Sequence, residues 1–156
     1  MNKLAAALML ATAIVAPQVA LARDITITAQ MANYRGPGAY LAIYVTDASG
    51  AYQSTLWVAG GKAKYYRHLR DWVRGISAAG GSIDGITGAS VGGGQTLTVN
   101  ASVADALIDA GYQIRVDSAV EEAGEYSAEI IVPLEQAHSG VPVSGPGYVD
   151  NLTISM

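Results

Sequence analysis

Residues 84–90 read Asp84-Gly85-Ile86-Thr87-Gly88-Ala89-Ser90, and Gly92-Gly93-Gly94 follows after a single valine. This stretch holds one carboxylate, two hydroxyls and mostly small side chains. A supple loop of this composition presents a hydroxyl with little steric cover, open to modification by another enzyme. The segment also contains Gly88-Ala89-Ser90-Val91-Gly92, the Gly-x-Ser-x-Gly spacing of a serine nucleophile, with His138 downstream and Asp105, Asp109 and Asp117 between. That chemistry needs a buried strand before the serine and a helix after it. Ala78 to Ile83 is not an apolar strand, and three glycines do not open a helix. The residues therefore favour a modified hydroxyl over a catalytic one.

The elements that must position this segment are mostly strands. Asp24 to Gln30 alternates at period two, and Tyr40 to Thr46 is a fully apolar run stopped by the turn Asp47-Ala48-Ser49-Gly50. Further runs are Tyr52 to Val58, Thr96 to Val99, Tyr112 to Val116 with an extension to Val120, Tyr126 to Val132, and Tyr148 to Ile154. Short strands separated by turn signals, without βαβ alternation, predict an all-β, immunoglobulin-like antiparallel sandwich. Lys62 to Arg74 predicts a helix whose apolar face is Tyr65, Leu69, Trp72 and Val73. Ser102 to Asp109 predicts a short helix capped by Ser102 and ended by Gly111. Gly75 to Gly94 is then a long glycine-rich loop, of the kind that is commonly functional.

Residues 1–22 read as a cleaved secretory signal: Lys3, the apolar run Leu4 to Ala16, and the small-x-small site Ala20-Leu21-Ala22. Residues 23–156 remain as one exported domain that does not span a membrane. Nine Lys and Arg face 13 Asp and Glu, and an acidic chain is a poor partner for nucleic acid. With no cysteine, disulfides, iron–sulfur ligation and attached haem are excluded. His68 and His138 lie 70 residues apart and form no His-x-His or His-x-x-x-His spacing, and no metal is expected. Glu121, Glu122 and Glu125 read as a solvated hairpin turn.

Five of the nine basic residues (Lys62, Lys64, Arg67, Arg70 and Arg74) fall on the predicted first helix. Arg67, Arg70 and Arg74 share one helical face, which serves an anionic phosphate, an acidic partner, or simply solvent. Tyr65, Tyr66, Trp57 and Trp72 are aromatic surfaces on which a flat ring could stack, although Trp57, Leu69 and Trp72 read first as core.

Asp84, Thr87, Gly88, Ala89 and Ser90 resemble, in order, the acceptor motif Asp-x-x-(Ser/Thr)-Gly-Ala-(Thr/Ser) of exported proteins that receive FMN from flavin transferases. Carriers of this kind include the FMN-bearing subunits of sodium-pumping quinone reductases. The resemblance implies FMN held by a phosphoester at Ser90, a position where threonine is more usual. It makes Asp84, Thr87, Gly88 and Ala89 recognition residues for an FAD-dependent FMN transferase, and Arg67, Arg70 and Arg74 candidate phosphate or partner contacts.

The order of Asp47, Thr55-Leu56-Trp57, Leu69-Arg70-Asp71-Trp72 and the motif is similar to a family of predicted periplasmic proteins of unknown function. That similarity covers most of residues 24–132 and implies a fold like the immunoglobulin-like domain of flagellar hook-capping proteins. Val91-Gly92-Gly93 and Asn100-Ala101-Ser102 stand where many members have a proline and a Trp-Asp-Gly turn. Members accompany PepSY-type membrane reductases and iron-uptake genes. The implied function is a periplasmic electron carrier, rather than a stand-alone enzyme, passing electrons from such a reductase to an extracytosolic acceptor. A cofactor-free binding or accessory module of the same fold is the alternative.

Overall fold

A computed structural model describes residues 20–156. The export-signal reading falls largely on residues 1–19, outside the described residues. The chain forms β1 (Ala22–Met31), β2 (Tyr40–Thr46), β3 (Tyr52–Ala59), α1 (Arg70–Ala79), β4 (Thr87–Gly88), β5 (Thr96–Ala104), β6 (Gln113–Val120), β7 (Gly124–Pro133), β8 (Val143–Ser144) and β9 (Val149–Ser155). One sheet has the order β5-β1-β9-β8 and the other β4-β3-β2-β6-β7. The result is an all-β sandwich, antiparallel except for the β3–β4 pair.

Burial explains the hydropathy patterns. In β1, Ile25, Ile27 and Ala29 enter the core while Thr26 and Thr28 lie half-buried on the other face. In β2 all seven residues are buried. Leu41, Ile43 and Val45 face the other sheet, and Tyr40, Ala42 and Tyr44 lie under α1 with Leu69, Trp72 and Ile76. A strand covered on both faces has no reason to alternate, which accounts for its continuous apolar run. Each fully buried aliphatic side chain contributes about 1.5–3 kcal/mol.

The predicted first helix is in fact two pieces. A 3₁₀ helix spans Ala63–His68, Leu69 leaves helical geometry at φ −86° and ψ 72°, and α1 follows. Leu69 is wholly buried, so the break inserts its side chain into the layer beneath the helix. Buried Asp117, on β6, accepts the Trp72 N–H at 2.9 Å and so serves a free donor of the first turn of α1. The helix runs on past Arg74 to Ala79 and ends at Gly80 in the left-handed region. Consequently Arg67 lies on a different element from Arg70 and Arg74, and the expected continuous stripe does not form.

The second predicted helix is largely a strand. β5 reaches Ala104 and pairs with β1 along its length, from Gln30↔Thr96 to Ala22↔Ala104. Val99 and Val103 supply the inward period-two positions, so sheet pairing overrides the Ser102 cap signal. Only one 3₁₀ turn, Asp105–Leu107, remains. Near the other end of the sandwich, buried Glu129 on β7 accepts Ser118 Oγ together with the N–H groups of Gly147 (2.8 Å) and Val149 (2.9 Å). That carboxylate ties the five-stranded sheet to the segment entering β9.

Candidate functional site

The motif crosses from one sheet to the other, and it is pinned along the way. β4 runs parallel to the end of β3, pairing Val58 with Thr87 and Ala59 with Gly88. Val58 N–H donates to Ile86 O at 2.9 Å and Gly60 N–H to Gly88 O at 2.8 Å. Three residues later Val91 forms a bridge with Ala39, its N–H and carbonyl bonded at 2.9 and 2.7 Å. The Tyr34 hydroxyl reinforces that bridge, donating to Val91 O at 2.6 Å and accepting the Ala39 N–H at 2.8 Å. Gly94 N–H then donates to Ala32 O at 3.0 Å before β5 begins. The supple tether expected from composition is thus a laced seam.

Its glycines serve close approach more than freedom. A β-carbon on Gly88 would stand 2.6 Å from Cζ2 of Trp57, and one on Gly93 would stand 2.3 Å from Tyr34 O. Trp57 is half-buried over the motif, and its indole nitrogen is buried without a hydrogen-bond partner.

Along this hydrogen-bonded backbone the polar side chains are exposed. Asp84, Thr87, Ala89 and Ser90 are exposed, and Gly88 is half-buried. Asp84, Thr87 and Ser90 are thus all accessible on the folded surface. Ser90 Oγ makes no hydrogen bond with any described residue and lies against Gly38, where a β-carbon would stand 2.6 Å from it. The missing side chain at Gly38 thus leaves the space that Ser90 Oγ itself occupies.

The basic segment lies elsewhere. A cleft of about 510 Å³ between the 3₁₀ helix and the β6–β7 turn is lined by Tyr40, Tyr65, Arg67, His68, Arg70 and Glu125, among others. Glu125 pairs with His68 at 2.8 Å and with Arg70, while Glu121 pairs with Lys62 at 3.7 Å and accepts the Tyr40 hydroxyl at 3.2 Å. The glutamates do lie at the β6–β7 hairpin turn, with Glu122 exposed, but Glu121 and Glu125 are counter-charges for the cations. Arg67 reaches only His68, at 3.4 Å. Arg74 pairs with Asp71 at 3.6 Å and lines a second cleft of about 560 Å³ together with Arg115. Ser90 lines neither cleft.

Of the aromatic candidates, Trp72 is core, its Nε1 donating to Thr55 Oγ1 at 2.9 Å. Tyr66 is anchored through its hydroxyl to Gly60 O at 2.7 Å, and Tyr65 carries the Lys64 ammonium 4.9 Å from its ring centroid. Trp57 is the one that the fold brings to the motif.

No serine triad assembles among the described residues. His138 neighbours Glu135 at 3.3 Å, Asp105 pairs with Arg23, and Asp109 accepts the Gln136 N–H. Asp117 is buried among Tyr44, Trp72 and Ala128. Burial is the largest influence on its carboxyl and raises it above the usual carboxylate range, while the donated hydrogen bonds pull it down. The same burial pushes the Tyr44 phenol up.

Sequence reasoning did not single out Tyr34 or Gly38. The available signal was Gly36-Pro37-Gly38, a turn tripeptide just before the most apolar strand.

The fold and its exposed motif define a β-sandwich scaffold that presents a surface segment. The chain belongs to the DUF2271 family, described as predicted periplasmic proteins, whose model matches residues 22–151. Its location is accordingly the periplasm. Among the described residues no helix is long and apolar enough to cross a membrane. No curated protein and no solved structure matches the chain.

Proposed function

We propose that this protein is a periplasmic electron carrier bearing FMN on Ser90. The observation that carries the reading is the exposed, unbonded Ser90 hydroxyl at the acceptor position of an outward-facing motif. In the attachment, Ser90 Oγ bonds to the FMN phosphorus of FAD, the phosphoanhydride bond breaks, AMP leaves, and the hydroxyl proton passes to the transferase. Asp84, Thr87, Gly88 and Ala89 serve recognition. Bound there, FMN supplies one- or two-electron transfer, while the protein supplies position and electrostatics. The donor is a PepSY-type membrane reductase and the acceptor an extracytosolic oxidant, ferric iron or a ferric siderophore. A covalent link suits the periplasm, where a dissociated flavin is lost by diffusion. Contacts with donor and acceptor are small and transient, as in other redox encounters.

Co-expression with an FMN transferase, denaturation and electrophoresis test the reading. Flavin fluorescence is expected to migrate with wild type and to vanish in Ser90→Ala. A dark wild-type band rejects the carrier and leaves the cofactor-free accessory module. A dark Thr87→Ala beside a bright Ser90→Ala keeps the carrier and moves the attachment point.

A further inference from the structure

We infer that Arg35, and not the basic helical segment, is the cation that pairs with the phosphate of the group carried on Ser90. The inference rests on the carrier reading above. The loop between β1 and β2 touches the motif strand at two points. At one, Tyr34 O faces Gly93 and the Tyr34 hydroxyl holds the Val91–Ala39 bridge. At the other, Gly38 lies against Ser90. The three residues between, Arg35-Gly36-Pro37, are exposed. Arg35 is separated from Gly38 by at most about 11 Å of extended chain. The long arginine stem adds to that reach toward an anion at Ser90.

Availability supports the same residue. Among the described residues Arg35 is the one arginine that neither donates a side-chain hydrogen bond nor enters an ion pair. Arg23, Arg70 and Arg74 pair with carboxylates, and Arg67 and Arg115 donate to His68 and Gln113. A phosphodiester on Ser90 carries one negative charge and two free oxygens, the match for a planar fork of N–H donors. Arg35 thereby holds the cargo close to the seam and limits its swing.

The test uses the full exported chain loaded by an FMN transferase, with bare Ser90→Ala as reference. In arginine Nε–H NMR spectra, the Arg35 resonance is expected to move by more than its linewidth on loading, with Arg67, Arg70 and Arg74 unmoved. Loaded Arg35→Gln is expected to show lower flavin fluorescence anisotropy than loaded wild type, with partial recovery in Arg35→Lys. Raising salt to about 0.5 M, where the screening length is only a few ångströms, should bring wild type toward the glutamine variant. Loaded protein with an unmoved Arg35 signal, or with Arg70 moving in its place, overturns this inference alone. Wild type that takes up no flavin overturns it together with the carrier reading.

Discussion

Ser90 Oγ occupies the space that a side chain on Gly38 would fill, 2.6 Å from the position of the absent β-carbon. The two residues are far apart in sequence and meet because Val91 bridges Ala39. Gly38 does not have the positive φ that favours glycine, so its backbone accepts alanine. Gly38→Ala is therefore expected to fold, to displace Ser90, and to cut flavin loading by roughly tenfold to a hundredfold. Gly61→Ala, which meets nothing within 4 Å, is the matched control and should load fully. Flavin absorbance per folded protein measures both; equal loading would remove Gly38 from the site.

Gly75 lies inside α1, where alanine ordinarily stabilises by about 0.5–1 kcal/mol. Here a β-carbon would stand 2.5 Å from the Tyr52 β-carbon on β3. The sign should reverse, with Gly75→Ala losing about 1–3 kcal/mol through overpacking. Urea denaturation measures it.

Trp57 covers Gly88 with its ring and carries an unpartnered buried N–H. Gly88→Ala should cost about 1–3 kcal/mol. Trp57→Phe removes a donor that had nothing to bond, and its loss is expected to be smaller than the loss from Gly88→Ala. Because the residues touch, the double variant should depart from additivity by more than about 0.5 kcal/mol. Additive thermal or urea data would mean the ring does not rest on the motif.

Asp117 titrates above the ordinary value of 3.8 because it is buried. A raised folded-state value means the folded protein holds this proton more tightly than the unfolded chain. The contribution is full below the unfolded value and is lost as pH rises through the folded one. Asp117→Asn cannot accept from Tyr44, Trp72 and Ala128 as a carboxyl does, and should destabilise by about 1–3 kcal/mol. It also lacks the titration, so its deficit should be largest near about pH 4 and shrink toward neutrality. A deficit that grows with pH would reverse the assignment.

Much of this architecture was legible in the chain. β2 begins and ends where its apolar run does, because it is covered on both faces and is closed by Asp47, whose carboxylate accepts Ser49 and Ala51 N–H groups. The errors came where long-range contacts outvote local signals. Gly75 looked like a helix end because its reason for being small, Tyr52, lies on another strand. Ser102 looked like a cap because the pairing of β5 with β1 is not written in either segment alone. The motif looked supple because two parallel residue pairs and a single bridge leave no hydrophobic period to read. The basic cluster was visible, but its partners Glu121 and Glu125 were not, since a hairpin turn brings them back across more than 50 residues of chain.

Neither apolar cluster includes Ser90. The scaffold closes without it, so the group proposed for Ser90 would be ballast to the fold and not a keystone. On the proposed reading such a chain would be exported, assembled and stored bare, then charged later in whatever proportion the supply of flavin permits.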